Sequence, residues 1–144
     1  MSNLKETVTF LEKVSFFGGL KKRQLENLAR RMVNRSYRKG DPIVVQGQGG
    51  EGFFIVTSGK AEAVRKRADG ENLVVNEFST GDFFGELALL DDGPRTATIT
   101  ATEETTCLVL VRWDFLSLLR EDADMAVEIL LELARRFRTT LDSM

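Results

Sequence analysis

The 144-residue sequence contains no histidine, a single cysteine and only two prolines. Without histidine, neither Ser-His-Asp nor Cys-His catalysis is available, and histidine-ligated metal sites are excluded. A single cysteine, Cys107, cannot form an intramolecular disulfide or a zinc site built from several cysteines. The sequence also shows neither a metal-binding cluster nor a positioned base. We therefore predict no catalytic residue and no metal site, and the sequence argues against an enzyme.

The sequence also lacks a strong charge of either sign and a long apolar run. It has 20 Lys and Arg against 22 Asp and Glu, a formal net charge of −2, which predicts no direct contact with nucleic acid. No window holds 18 consecutive apolar residues, so no membrane segment is expected. Residues 1–13 lack the apolar core of a signal peptide. With one cysteine, these features favour a cytoplasmic location.

Apolar residues at spacings of three and four predict helices at both ends of the chain. In the first third these residues are Leu4, Val8, Leu11, Leu25, Leu28, Ala29 and Met32. In the last third, Asp122 or Asp124 is a candidate N-cap for a long helix. The apolar stripe of that helix is broad enough to pack on more than one surface; it contains Met125, Ala126, Ile129, Leu130, Leu133, Ala134, Phe137 and Leu141.

Between the helical segments, seven or eight short β-favouring runs are separated by glycine and aspartate. Such regular spacing is typical of a β-barrel or β-roll. The predicted fold class is α+β, an antiparallel β-roll (a double-stranded β-helix or jelly-roll-like sheet pair) flanked by N- and C-terminal helices. We expect a single domain, residues 1–144, with N-terminal helices in 1–33, the β-roll in 34–112 and C-terminal helices in 113–144.

Residues 47–52, GQGGEG, match the dinucleotide-binding pattern G-x-G-x-x-G. That chemistry requires the glycine turn to open a helix whose N–H groups hold the pyrophosphate. Here the glycines are followed by FFIVTSG, which is strand-like. The motif is therefore interpreted as a glycine-rich hairpin turn.

Residues 81–101, GDFFGELALLDDGPRTATITA, combine an apolar segment with groups that suit a nucleotide. ELALL favours a short helix, and unpaired N–H groups at its start would attract an anion. Gly85 would let a ligand approach the backbone closely. Arg95, at the start of the next predicted strand, suits bidentate contact with a phosphate, and Glu86 could accept from a ribose hydroxyl. The alternative is an apolar core helix with a structural Glu86–Arg95 ion pair.

FGELALLDDGPRTATI, residues 84–99, resembles the phosphate-binding cassette of the cyclic nucleotide-binding domain family. That family includes protein kinase A regulatory subunits, cyclic-nucleotide-gated channels and the bacterial catabolite activator. Residues 36–64 are similar to the family's opening strands with their two glycine turns. WDFLSLL followed by a long helix is similar to its closing helices. The resemblance therefore covers nearly the whole chain, with the cassette in residues 83–97.

The resemblance implies a role for each cassette residue. Arg95 would pair with the cyclic phosphate, and Glu86 would accept from the ribose 2′-hydroxyl. The remaining lining is implied to come from Gly85, Leu87, Ala88, Thr96 and Ala97, with ligand contacts from the backbone amides of Leu87 or Ala88 and of Ala97. The Thr96 hydroxyl could reach the phosphate or a guanine amino group, which leaves cAMP and cGMP both open.

The last helix of the family usually covers the base, and Arg135, Arg136 and Phe137 are the candidates for that lid. The basic triplets at 21–23 and 65–67 are interpreted as solvated ends of a helix and a strand. Cys107 lies in an apolar run and is expected to be a small core residue.

The implied function is a non-catalytic sensor that binds cAMP, with cGMP as the other candidate ligand, and needs no cofactor. Movement of the C-terminal helix onto the ligand would be the switch. Candidate partners are a second copy, through the C-terminal helix, or an effector protein. The alternatives are the sensor half or a stand-alone relative of a catabolite-activator-type transcription regulator, and a structural member of the fold that has lost its ligand.

Overall fold

The computed structural model describes residues 3–49, 52–91 and 93–144. Over these ranges the chain forms four α-helices, two 3₁₀ turns and eight β-strands. It divides into two compact units: a helical unit, made of the chain up to Arg31 and of Trp113–Met144, and a sheet unit, Met32–Arg112. The expectation that residues 1–144 act as one domain stays a prediction.

Helices lie at both ends of the chain, as the apolar periodicity predicts, and α3 begins one residue before the predicted segment 113–144. They are α1 (Leu4–Glu12), α2 (Lys22–Arg31), α3 (Arg112–Glu121) and α4 (Ala123–Asp142), with a 3₁₀ turn at Ser15–Phe17. Of the two candidate N-caps for α4, Asp122 is the one used, since its carboxylate accepts from the backbone N–H of Met125 at 3.1 Å. No helix of the described residues is both long and apolar enough to cross a membrane.

An aromatic cluster forms part of the core of the helical unit. The rings of Phe16 and Phe17, in the 3₁₀ turn, lie 5.5 Å apart in an edge-on arrangement. Both also contact Phe115 of α3, with ring centroids 6.5 and 6.3 Å away. All three side chains are buried, so the phenylalanines anchor the break between the first two helices.

The eight strands form two four-stranded antiparallel sheets. They are β1 (Val33–Tyr37), β2 (Pro42–Val44), β3 (Gly52–Ser58), β4 (Lys60–Lys66), β5 (Asn72–Ser79), β6 (Phe83–Phe84), β7 (Thr98–Ala101) and β8 (Thr105–Val111). One sheet has the order β1-β8-β3-β6 and the other β2-β7-β4-β5. The predicted fold class, antiparallel sheets with helices before and after them in the chain, is confirmed.

The core of the sheet unit lies between the two sheets. It draws on inward-facing side chains of both, such as Phe54 of β3, Phe78 of β5 and Phe84 of β6. Phe54 and Phe84 stack with ring centroids 5.0 Å apart. Cys107 of β8 is fully buried, and burial raises the pKa of its thiol to about 12. It is therefore a neutral core residue, as the sequence predicts.

Two local features of residues 81–101 differ from the sequence prediction. The short helix is a four-residue 3₁₀ turn, Glu86–Leu89. The strand predicted from Arg95 begins only at Thr98. The reason is that residues 94 and 95 pair with the loop at 47–49 rather than with β4: Gly49 bridges Pro94, and the Arg95 N–H donates to the Gln48 carbonyl at 2.8 Å.

Candidate ligand-binding site

A cavity of about 600 Å³ opens within the sheet unit. Strands β2, β4, β5, β6 and β7 contribute to its wall, and the cassette contributes the rest. The lining includes every cassette residue implicated from the sequence: Gly85, Glu86, Leu87, Ala88, Arg95, Thr96 and Ala97. These residues come from two segments on either side of Asp92, which lies outside the described residues, and folding brings them to one cavity.

Gly85 starts the 3₁₀ turn with a left-handed backbone, at φ 87°. A Cβ at this position would lie 2.5 Å from the Gly52 carbonyl oxygen and 2.8 Å from Nη1 of Arg95. Any other residue would therefore combine an unfavourable φ with a collision against the arginine. The glycine is required because the arginine head packs directly against the start of the turn.

The 3₁₀ turn already uses one of the two candidate amides for an internal hydrogen bond. The Ala88 N–H donates to the Gly85 carbonyl at 3.0 Å, and the amides of Leu90 and Asp91 both donate to the Leu87 carbonyl. The Leu87 amide makes no such bond within the described residues. Of the two amides implied by the resemblance, Leu87 is thus the better placed to donate to a ligand. Its side chain is 58% exposed and adds apolar surface to the wall.

Arg95 is held half-buried against β3. Its Nη2 donates to the Gly52 carbonyl at 2.7 Å, and its guanidinium carbon lies 6.0 Å from the centre of the Phe54 ring. These contacts restrict the side chain before any ligand arrives. A guanidinium partly shielded from water attracts an anion more strongly than one on an open surface, because the local dielectric is lower.

The glycine-rich loop at residues 47–52 positions the backbone of Arg95. Gly47 donates to the Arg95 carbonyl and Arg95 donates to Gln48, both at 2.8 Å. The loop is followed by β3 and not by a helix, which argues against a dinucleotide-binding turn. The predicted hairpin is wrong, however, because β2 pairs with β7 and β3 pairs with β6 and β8, in different sheets. Residues 50 and 51 of the loop lie outside the described residues. Sequence reasoning treated the loop only as a connection, since nothing in its pattern names a partner 47 residues further along the chain.

Glu86 and Thr96 lie on opposite sides of Arg95 in the chain and line the same cavity. Glu86 is half-buried and Thr96 is exposed. The Thr96 carbonyl accepts from Nε of Arg65 at 3.3 Å. The cavity therefore presents a carboxylate, a hydroxyl and a guanidinium beside apolar strands.

Arg65 is a cavity residue that sequence reasoning missed. It is exposed, as predicted for a solvated strand end, but it also lines the cavity. The signal was present in the alternation of β4: Ala61 and Ala63 face the core, and Arg65 is the next residue in the same phase. The alternation was overlooked because residues 65–67 are all basic, and three basic residues in a row are typical of the solvated end of a strand.

The three lid candidates all lie on α4, in the helical unit. Arg135 forms an ion pair with Glu132 at 3.2 Å. Arg136 also pairs with Glu132, and it donates to Ser15 Oγ at 2.9 Å and lies 5.1 Å from the centre of the Phe16 ring. Phe137 is 65% exposed. Their role as a lid stays a prediction.

The arrangement suits a small anionic ligand with a polar and an apolar end. Arg95 and the Leu87 amide offer donors to an anion, and the Glu86 carboxylate offers acceptors to hydroxyls. The remaining wall is largely apolar, with Val44, Ala63, Val75, Phe78, Phe84 and Ile99. A phosphorylated sugar that carries a flat base combines these properties in one molecule.

Comparisons with known proteins agree with this chemistry. The family model described as cyclic nucleotide-binding domain matches residues 34–122. The Cyclic AMP receptor protein of Thermus thermophilus is 35% identical over 122 residues, which is 85% of this chain and 56% of that protein. The chain thus spans little more than half the length of this curated relative.

Two solved structures show the same fold. The N-terminal domain of a transcriptional regulator from Streptomyces coelicolor A3(2) has a TM-score of 0.87 at 32% identity, covering 94% of this chain and 96% of that one. The regulatory domain of Toxoplasma gondii PKA, solved with cAMP, has a TM-score of 0.74 at 28% identity, covering 92% of this chain and 49% of that one. The chain belongs to the cyclic nucleotide-binding domain family.

Proposed function

We propose that this chain is a non-catalytic sensor whose ligand is cAMP, with cGMP as a second ligand. The observation that carries the proposal is that the Arg95 guanidinium, the Glu86 carboxylate and the other five cassette residues implicated from the sequence line one cavity of about 600 Å³. The Toxoplasma gondii relative solved with cAMP supports the choice of ligand. The coarser statement, a cyclic nucleotide-binding regulatory domain, already follows from membership of the family.

In this proposal Arg95 binds the cyclic phosphate. A guanidinium presents two parallel N–H groups to two phosphate oxygens, which gives direction as well as charge. The Gly52 carbonyl already holds Nη2 in place at 2.7 Å, so little side-chain freedom is lost on binding. Backbone N–H groups of Leu87 and Ala97 complete the phosphate site.

Glu86 binds the ribose in this proposal. An ionised carboxylate is only an acceptor, so it suits the 2′-hydroxyl, a donor. Beside a phosphate it would be repulsive unless it met such a donor, and this requirement favours a ribonucleotide over a simple phosphate ester. The base then occupies the apolar part of the cavity.

Calorimetric titration of Arg95→Ala tests the proposal. Loss of a hydrogen bond to a charged group costs about 1.5–3 kcal/mol, so we expect cAMP to bind roughly 10- to 150-fold more weakly. Arg38→Ala is the matched control because Arg38 is an exposed arginine of the same unit that does not line the cavity. It should bind cAMP as the wild type does.

A thermal-shift panel of cAMP, cGMP, AMP and a cyclic dinucleotide identifies the ligand. A ligand at 100 times its Kd adds about 2.7 kcal/mol to stability, which raises the melting temperature measurably. If none of these compounds stabilises the wild type, the chain is a member of the fold that has lost its ligand. If Arg95→Ala bound cAMP with wild-type affinity, the proposed role of Arg95 as the phosphate site would be wrong.

Movement of α4 onto the bound ligand is the proposed switch. The ligand must bind the closed form better than the open form, because equal affinity shifts no population. Arg135, Arg136 and Phe137 are the proposed contacts to the base. An effector protein or a second copy of the chain would then respond to the position of α4.

The exposed face of α4 favours a second copy as the partner. Val127, Leu130, Ala134, Phe137 and Leu141 follow one another at spacings of 3, 4, 3 and 4 residues. The four larger side chains are each at least 51% exposed, and Ala134 is exposed as well. Such a 3.5-residue repeat is the seam of a two-stranded coiled coil. This exposed face supports the alternative in which the chain is the sensor half of a dimeric transcription regulator.

A further inference from the structure

We propose that Arg65 is a specificity-determining residue that reads the acceptor edge of the purine base and favours guanine. The proposal rests on the proposed function, since it assigns a contact within the same cavity. Three observations support it: the face of β4 on which Arg65 lies, the hydrogen bond from its guanidinium to the cassette, and the direction of one peptide bond.

The phase of β4 directs Arg65 to the cavity. Side chains alternate between the two faces of a strand, and Ala61 and Ala63, at 2% and 5% exposure, mark the core face. The pairing of β4 with β7 is regular from Ala61 to Val64, so Arg65 falls on that same face. It is the one charged side chain that β4 adds to the cavity wall.

The guanidinium is anchored at one end only. Its Nε donates to the Thr96 carbonyl at 3.3 Å. Across residues 3–49, 52–91 and 93–144, the Arg65 side chain makes no other hydrogen bond and no ion pair. This bond tethers the group to the cassette, while its two terminal nitrogens keep their donors for a ligand.

The peptide between Thr96 and Ala97 separates Arg65 from the proposed phosphate site. The described residues contain no cis peptide, and in a planar trans peptide the C=O and N–H groups point in opposite directions. The carbonyl of this peptide meets Arg65, so the Ala97 N–H, the proposed phosphate donor, points away from it. With the ribose assigned to Glu86, the part of the nucleotide left for Arg65 is the base.

A guanidinium distinguishes the two purines because it can only donate. Guanine presents two adjacent acceptors, O6 and N7, and binds arginine in a bidentate manner. Adenine presents N7 beside an amino group, which is a donor and repels the second N–H. Arg65 thus raises the affinity for cGMP relative to cAMP without excluding cAMP.

Calorimetric titration of the full chain and its Arg65→Ala variant with cGMP, cAMP and cIMP tests the proposal. We expect cGMP to bind the variant about tenfold more weakly, within the roughly 5- to 150-fold range for one bidentate base contact. cIMP keeps O6 and N7 but lacks the guanine amino group, so its affinity should fall with that of cGMP. The affinity for cAMP should change by less than about threefold.

Two further variants separate the contact from its charge. Lys66→Ala removes a neighbouring cation on the opposite face of β4 and outside the cavity wall, and it should leave the ratio of cGMP to cAMP affinity unchanged. Arg65→Lys keeps the charge but loses the two parallel N–H donors of the guanidinium, so it should restore only part of the preference for cGMP.

Three outcomes would overturn the proposal. Equal weakening of all three ligands in Arg65→Ala would place Arg65 on the phosphate or ribose, and unchanged affinities for all three would show that Arg65 does not contact the ligand. Full restoration by Arg65→Lys would reduce its role to charge. Each of these leaves the proposed function intact, whereas failure of the wild type to bind any of the three nucleotides would overturn the proposed function itself.

Discussion

At the scale of single residues, the site depends on groups that constrain Arg95 before a ligand binds. Arg95 is held by two sets of hydrogen bonds: its side chain donates to the Gly52 carbonyl, and its backbone pairs with the loop at 47–48. Gly85 leaves the space that the guanidinium occupies. In the proposed binding mode the ligand meets a preorganised cation, which lowers the entropic cost of forming the contact.

The replacement Gly85→Ala is expected to weaken cAMP binding and to lower the melting temperature. The new Cβ would collide with Gly52 O and Arg95 Nη1, in addition to the cost of a left-handed alanine. Gly40→Ala is the matched control: Gly40 has a similar φ of 92° but nothing within 4 Å of its Cβ position. That control should pay only the backbone cost, about 1–2 kcal/mol, and bind normally. Equal effects of both variants on binding would contradict this role of Gly85.

At the scale of elements, α4 depends on its cap. The backbone N–H of Met125 and, to a smaller extent, the side-chain amide of Gln24 donate to Asp122, and these bonds hold the pKa of the Asp122 carboxyl below its usual range. A depressed carboxyl pKa stabilises the folded state above the unfolded pKa of about 3.9. The stabilisation is lost as the pH falls from there through the lowered pKa of the folded state.

We expect Asp122→Ala to lower the melting temperature at pH 7, and the difference from the wild type to shrink as the pH falls below about 4. Asp122→Asn keeps an N-cap acceptor that does not titrate, so its melting temperature should lack this contribution to acid sensitivity. Thermal melts followed by circular dichroism from pH 7 to pH 2.5 measure both. A gap between Asp122→Ala and the wild type that is constant over this range would contradict a titrating cap.

At the scale of the whole molecule, the exposed seam of α4 predicts a dimer. Light scattering should give twice the 16.2 kDa mass of one chain. Leu130→Glu places a charge in the seam and should give the mass of a single chain. Thr139→Glu adds the same charge to an exposed position outside the seam and should leave the dimer intact. A monomeric wild type, or a dimer that survives Leu130→Glu, would contradict the seam.

Much of this molecule could be predicted from local patterns. Apolar spacing predicted the helices, and short β-favouring runs between glycine turns predicted the sheet unit. Both patterns depend on residues only a few positions apart. The cassette was recognisable as one continuous segment. The 3₁₀ turn was predicted as a short helix because residue preferences alone do not distinguish the two.

The sequence by itself determined the fold class, the family resemblance and the chemistry of Gly85, Glu86 and Arg95. Only the tertiary structure decided that Gly52 and the loop at 47–48 hold Arg95, and that Arg65 reaches Thr96, 31 residues away. The physical reason is that these contacts join backbone carbonyls to distant groups. Every residue has a backbone carbonyl, so only the folded geometry selects the one that accepts.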